Sequence, residues 1–273
     1  MPASKNDVQN WARYESEQIV PPLVKGLLRK TRPVYSLPKG KSEKALFALG
    51  SCFFLHVWGK TFLVTASHVA RETADNDLFI PIATDVEAVE GEFHYTGDWK
   101  HPPEEDRIDL AFLELPERIS SRLPSGSFFT ASEWDENDKI VPTSVYLVCG
   151  WPGKRNDPNP RGGVLPRSPI AYRDYSLLPR DYAKYGIASG THYAIRFDRK
   201  RALDDNHLLV VPPRLKGISG SPLMRFHKYG SRDDLLAVRE PKLVGVCIEV
   251  ENGAIIATRL AFLLKAIFER YKV

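Results

Sequence analysis

His68, Asp109 and Ser219 are the residues of this chain whose types and surroundings suit covalent chemistry. LVTASHV carries His68 at the end of an apolar run, RIDLAFLEL has Asp109 opening another, and KGISGSPL is a glycine-punctuated turn holding Ser219. A hydroxyl is a poor nucleophile at neutral pH and needs a neighbouring base to take its proton. That base needs a partner, usually a buried carboxylate, to fix its tautomer and stabilise the imidazolium. Gly217 and Gly220 would let the backbone turn tightly and aim amides at a developing oxyanion. Taken singly, each residue has a structural explanation: a satisfied histidine, a strand-edge aspartate, a flexible turn. Their conjunction points to nucleophilic catalysis.

The elements that must position these residues are short strands. From Ala45 onward, ALFALGSCFFLHV, KTFLVTASHVA, DLFIPIA, GEFHY and IDLAFLELP are apolar or alternating runs separated by turn residues. The texture resumes after a polar stretch with IVPTSVYLVCGWPG, THYAIRFD, HLLVVPP, SPLMRF, KLVGVCIEV and GAIIATRL. The spacing predicts a helical extension and basic linker over 1–43, with a break at Pro21-Pro22. A first β unit follows over 44–118, a connection over 119–137 and a second β unit over 138–258. A C-terminal helix over 259–273 places Leu260, Leu263, Leu264, Ile267 and Phe268 on one face. The segment 154–190, rich in Pro, Arg and Tyr, reads as long loops. Two β units can form a cleft between them.

Composition narrows the class. The chain has 273 residues, 43% hydrophobic and 26% charged, with 38 Lys and Arg against 34 Asp and Glu, a net charge of +4. That balance is ordinary for a globular protein and too mild to mark a nucleic-acid binder. The basic, aromatic-flanked run WPGKRNDPNPRGGVLPR is therefore read as a solvated loop face. Cys52, Cys149 and Cys247 lie far apart in apolar runs, which argues for three buried thiols in a reducing compartment rather than disulfides or a zinc site. The remaining histidines lack ligand spacing, and no metal or other cofactor is expected. The polar N-terminus and the lack of a ~20-residue apolar run predict a soluble, cytoplasmic chain without membrane contact.

Together the three motifs resemble those of the chymotrypsin-like (trypsin-fold) serine peptidases. LVTASHV is similar to that family's TAAH motif, IDLAFLEL to its aspartate-strand motif, and GISGSP to its G-x-S-G-G/S-P motif. VCGWPG, LVGVCIEV and the C-terminal helix extend the likeness from about Ala45 to the C-terminus. The order fits as well, with Asp109 41 residues after His68 and Ser219 110 residues after Asp109. The resemblance implies an all-β fold of two six-stranded antiparallel barrels, with a helical N-terminal extension and a C-terminal helix. It implies His68 as base, Asp109 as its orienting partner, Ser219 as nucleophile and the Gly217 and Ser219 amides as oxyanion hole. The expected activity is peptide-bond hydrolysis, acting on a protein or peptide substrate. A catalytically silent module that binds a protein partner is the alternative.

Departures from the family pattern refine this. Val69 follows His68 where secreted animal members carry a cysteine, and Ile218 precedes Ser219 where zymogen-activated members carry an aspartate. Ile19-Val20-Pro21-Pro22 is a poor match to an activating N-terminus. Activation by N-terminal insertion is therefore not expected, which leaves a preformed site or a regulatory protein partner. GISGSP is closer to bacterial glutamyl-peptidase and stress-protease members. By alignment, Pro213, Arg214, Cys247, Ile248 and Glu249 would line the substrate pocket. Pro213 stands where an aspartate would select Arg or Lys, Arg214 would suit an acidic group, and Glu249 a basic one. The cleavage preference stays open.

Overall fold

The computed structural model describes residues 20–38, 46–72, 76–82, 85–97, 107–135, 139–140, 144–153, 169–198, 202–203, 209–210, 217–226 and 241–272. Helix α1 (Val20–Lys30) leads into a first sheet of eight strands: β1 (Thr31–Pro38), β2 (Phe47–Val57), β3 (Lys60–Ala66), β4 (Asn76–Ile82), β5 (Asp85–Ala88), β6 (His94–Tyr95), β7 (Leu110–Glu114) and β8 (Phe128–Phe129). Their order is β5-β4-β1-β2-β3-β7-β6, all antiparallel, with β8 pairing parallel to β2. The second sheet comprises β9 (Val145–Gly150), β10 (Ile170–Tyr175), β11 (His192–Arg196), β12 (Ala202–Leu203), β13 (Leu209–Val210), β14 (Pro222–Phe226), β15 (Lys242–Glu251) and β16 (Ala254–Arg259). It runs β11-β16-β15-β14-β9-β10-β12-β13. The fold is thus all-β in two antiparallel halves, as the motifs implied. Among the described residues each half has eight strands rather than six, and no ladder joins the two ends of either sheet.

Two stretches differ from the expectation. Thr31–Pro38 falls in the expected linker, yet it is β1, set between β4 and β2. Pro33 is tolerated because β4 pairs only with Tyr35 to Pro38, so its missing N–H interrupts no ladder on that side. Ile170–Tyr175, expected within loops, is β10, paired with β9 along its whole length. The prolines 21 and 22 occupy the first turn of α1 and do not break it, since backbone N–H groups there have no helical partner.

Local sequence explains the hairpins that matter for the site. Trp58-Gly59 joins β2 to β3 and Asn252-Gly253 joins β15 to β16. Both pairs lie at positive φ, the two-residue turn that suits twisted antiparallel strands. Residues 50–55 of β2 and 62–66 of β3 are buried without alternation, which explains why their apolar residues do not alternate with exposed polar ones. Phe53 meets Phe129 edge to face at 5.6 Å, and Phe62 meets Phe112 at 6.0 Å. Helix α2 (Ser67–Arg71) is a single turn after β3, α3 (Glu117–Ser120) follows β7, and α4 (Leu260–Tyr271) closes the chain against β7, β15 and β16. Leu260, Leu263, Leu264 and Ile267 of α4 are buried. Phe268, expected on the same face, is half exposed and lies against Trp58. Among the described residues no helix is long and apolar enough to cross a membrane.

Candidate active site

His68 and Asp109 meet because their strands do. β3 pairs with β7 through Ala66 and Leu110, so the residue after one strand faces the residue before the other. Asp109 then takes three bonds to the start of α2. Its carbonyl accepts from the Ser67 N–H at 2.9 Å, Oδ1 accepts from the His68 N–H at 2.9 Å, and Oδ2 lies 2.7 Å from His68 Nδ1. Its backbone is left-handed, φ 49°, a conformation that costs a non-glycine residue about 1–2 kcal/mol. The bonds to α2 hold it there.

A carboxylate only accepts, so the proton between the pair sits on Nδ1 and the Nε2 lone pair is left available as a base. Burial by itself would lower the His68 pKa. The hydrogen bond and charge of Asp109, joined by Glu72 and Glu249, outweigh burial and raise it above 6.5. The imidazolium is thereby stabilised, as a base that must hold a proton requires.

Ser219 sits on the turn before β14, between Gly217 at φ 105° and Gly220 at φ 87°. Only glycine fits at 220: a Cβ there would lie 1.9 Å from Ser51 O and 2.4 Å from Thr65 Oγ1. At 217 it would meet the Gly153 backbone nitrogen at 2.4 Å. The Gly220 N–H donates to Cys247 O, the Ser221 N–H to Ile218 O, and the Ser51 N–H to Ser219 O. Among the described residues neither the Gly217 nor the Ser219 amide has a hydrogen-bond acceptor. Two unpaired amides flanking a hydroxyl are the donor set an oxyanion needs.

The turn and the histidine share one corner. Gly50 of β2 lies between them, since a Cβ there would stand 2.8 Å from Val69 Cγ2 and 3.1 Å from Ser219 O. The Ser219 hydroxyl donates to Ile248 O at 2.8 Å, and among the described residues no hydrogen bond joins it to His68. Ile248 can receive it because β15 bulges there. Cys247 and Glu249 pair with Ala257 and Ile256, leaving Ile248 without a cross-strand partner.

Of the expected pocket residues, Pro213 and Arg214 lie outside the described residues. Cys247 is wholly buried in the core of the second sheet and reaches the site through its backbone, not its thiol. Ile248 is also buried, and Glu249 is exposed. Partial desolvation, Glu251 and Asp109 raise the Glu249 pKa, while His68 lowers it. All three cysteines are free and buried as expected, and burial pushes the Cys52 thiol up to about 12. A cavity of about 390 Å³ lined by Leu28, Arg32, Pro81, Pro124 and Trp151 shares only Trp151 with the surroundings of the turn. Ser51 is not among the residues the sequence points to, since no motif marks it, and Ile248, expected in the pocket, meets Ser219 through its carbonyl.

No protein-family model and no curated protein matches the chain. Among solved structures, that of GrC, a granzyme, superposes with a TM-score of 0.56 at 12% identity, covering 90% of this chain and 95% of that one. A chain from work on the coupled folding and binding of the Sesbania mosaic virus VPg protein gives 0.45 at 14% identity, covering 86% and 87%; at that score it carries no argument. With the strand order and the GrC superposition, the fold of this chain is trypsin-like.

Proposed function

We propose that the protein is a serine endopeptidase working through an acyl-enzyme. Ser219 Oγ leaves the Ile248 carbonyl, turns to His68 Nε2 and attacks a peptide carbonyl as His68 takes its proton. The oxyanion rests on the Gly217 and Ser219 amides. His68 then protonates the leaving amine, and a water activated by the same Nε2 hydrolyses the ester. The observation that carries this reading is Asp109 gripping both the amide and the ring of His68, at 2.9 and 2.7 Å. Protein or peptide is the substrate, no cofactor takes part, and a reducing, cytoplasmic setting fits three free thiols. Motif likeness to bacterial glutamyl and stress proteases supports narrow or regulated cleavage, with room for a regulatory protein partner.

A fluorophosphonate probe tests the reading. Wild type should label on the peptide containing Ser219, while Ser219→Ala and His68→Ala should not, with all three proteins folded by circular dichroism. Equal labelling of wild type and Ser219→Ala would overturn it. One observation favours a second reading, a silent module that binds a protein partner: the Ser219 hydroxyl is bonded to Ile248 O and not to His68. Folded wild type that resists the probe at every pH, with and without peptide, would select that reading.

A further inference from the structure

Ser51 lies in the first sheet, yet most of its polar contacts go to the second half. It is wholly buried on β2. Its N–H donates to Ser219 O at 2.8 Å, its hydroxyl donates to Gly217 O at 2.8 Å, and its Oγ accepts from the Trp151 N–H at 2.9 Å. Its own carbonyl is held by Thr65 Oγ1 at 2.8 Å. We infer that Ser51 is a positioning residue that clamps the 217–219 turn so that the Gly217 and Ser219 amides stay unpaired and available to an anionic oxygen.

A hydroxyl has one proton to give. Ser51 spends it on Gly217 O, while its backbone holds Ser219 O, so the carbonyls on either side of Ile218 are both tied to β2. Gly217 at φ 105° and Gly220 at φ 87° have wide backbone freedom, and an unclamped turn could pair its amides elsewhere. Oγ also accepts from Trp151, and the Trp151 carbonyl would lie 3.0 Å from a Cβ on Gly217, so one hydroxyl fixes the turn and the wall behind it. Trp151 is steadied in turn by its Nε1–H, which donates to Thr31 Oγ1 at 3.3 Å. Gly150 leaves the space, since a Cβ there would come within 3.2 Å of Ser51 Oγ and 2.1 Å of Ser221 Oγ. Removing the hydroxyl leaves the nucleophile and base untouched but frees Gly217 O and the buried Trp151 N–H to find other partners.

The inference rests on the proposed role of Ser219, and its test is built to separate the two. In Ser51→Ala, the amide resonances of Gly217 and Ser219 in ¹⁵N–¹H spectra should move more than those of Phe53 and Phe54. For peptide hydrolysis kcat should fall about 10²-fold, the scale of losing one oxyanion donor, with KM within about twofold. Affinity for a peptide aldehyde should fall in step with kcat, and Ser51→Thr should restore both. A merely structural role would lower the melting temperature without this split between kcat and KM. Ser51→Cys, which keeps the volume and weakens the donor, replaces Ser51→Ala if that variant does not fold. Unmoved Gly217 and Ser219 resonances would overturn the clamp, and so would moved resonances with unchanged kcat. A wild type that hydrolyses nothing sinks the peptidase reading alone, because the resonances still decide the clamp.

Discussion

The corner that holds His68 is built from neighbours in one sheet, whereas the turn that holds Ser219 takes part of its hydrogen bonding from the other half of the molecule. Around His68, β3 and β7 are adjacent, and Asp109 supplies three contacts to one helical turn. Around Ser219, the carbonyls of 217 and 219 are held by Ser51 of the first sheet, and the hydroxyl by Ile248 of the second. His68 is fixed by local pairing. The geometry around Ser219 depends on how the two halves meet, so changes at their contact should reach Ser219 before they reach His68.

The most disruptive way to break this comparison is Gly220→Ala. The new Cβ would meet the Ser51 carbonyl at 1.9 Å, in a left-handed conformation. We expect a loss of more than about 2 kcal/mol of stability in urea titration, together with loss of probe labelling. A stable Gly220→Ala would show that the halves yield to each other more easily than the contact distances allow. Asp109→Asn acts on the other side. It keeps the shape but reverses the preferred His68 tautomer, so kcat should fall about 10³–10⁴-fold while the Ser219 amide environment, read by its resonance, stays as in wild type.

The smallest expected effect sharpens the electrostatic side. The His68 pKa is raised, so activity that needs the neutral ring is lost as pH falls through a midpoint above 6.5. The stability contribution runs the other way. A raised folded pKa stabilises fully below 6.5, and that contribution fades as pH rises through the folded value. Glu249 is one of the charges raising it, so Glu249→Gln should move the acid limb of kcat/KM to lower pH and leave kcat at the plateau nearly unchanged. A limb that stays in place would assign the whole shift to Asp109 and Glu72. If Glu249→Gln also weakens KM for substrates carrying Lys or Arg near the scissile bond, Glu249 faces the substrate.

Much of this was legible in the text of the chain because short-range turn chemistry writes itself into sequence. LVTASHV, IDLAFLEL and GISGSP give the strand ends and the glycine turn directly, and α4 announces its buried face. β1 reads as a linker in the sequence because Pro33 and Pro38 look like punctuation. Only the pairing pattern, with the β4 ladder ending at Tyr35, shows why Pro33 fits, while Pro38 is the last residue of the strand. β10 was hidden by polar residues. Asp174 is buried there, accepting from Tyr172 Oη at 3.1 Å and the Tyr175 N–H at 2.8 Å, so a charged residue in IAYRDY marks a satisfied core and not a loop. Ser51 was silent for a different reason. The partners of its hydroxyl lie 100 and 166 residues away, and a single serine before an apolar run carries no sign of them.

The central claim, that Ser219 leaves the Ile248 carbonyl to work with His68 and the two amides, is tested most directly by a crystal structure with a peptide boronic acid. The account predicts a covalent bond from Ser219 Oγ to boron, no remaining contact to Ile248 O, and a boronate oxygen within about 3 Å of both the Gly217 and Ser219 nitrogens. An unmodified Ser219 still bonded to Ile248 O, in crystals saturated with the compound, would contradict it.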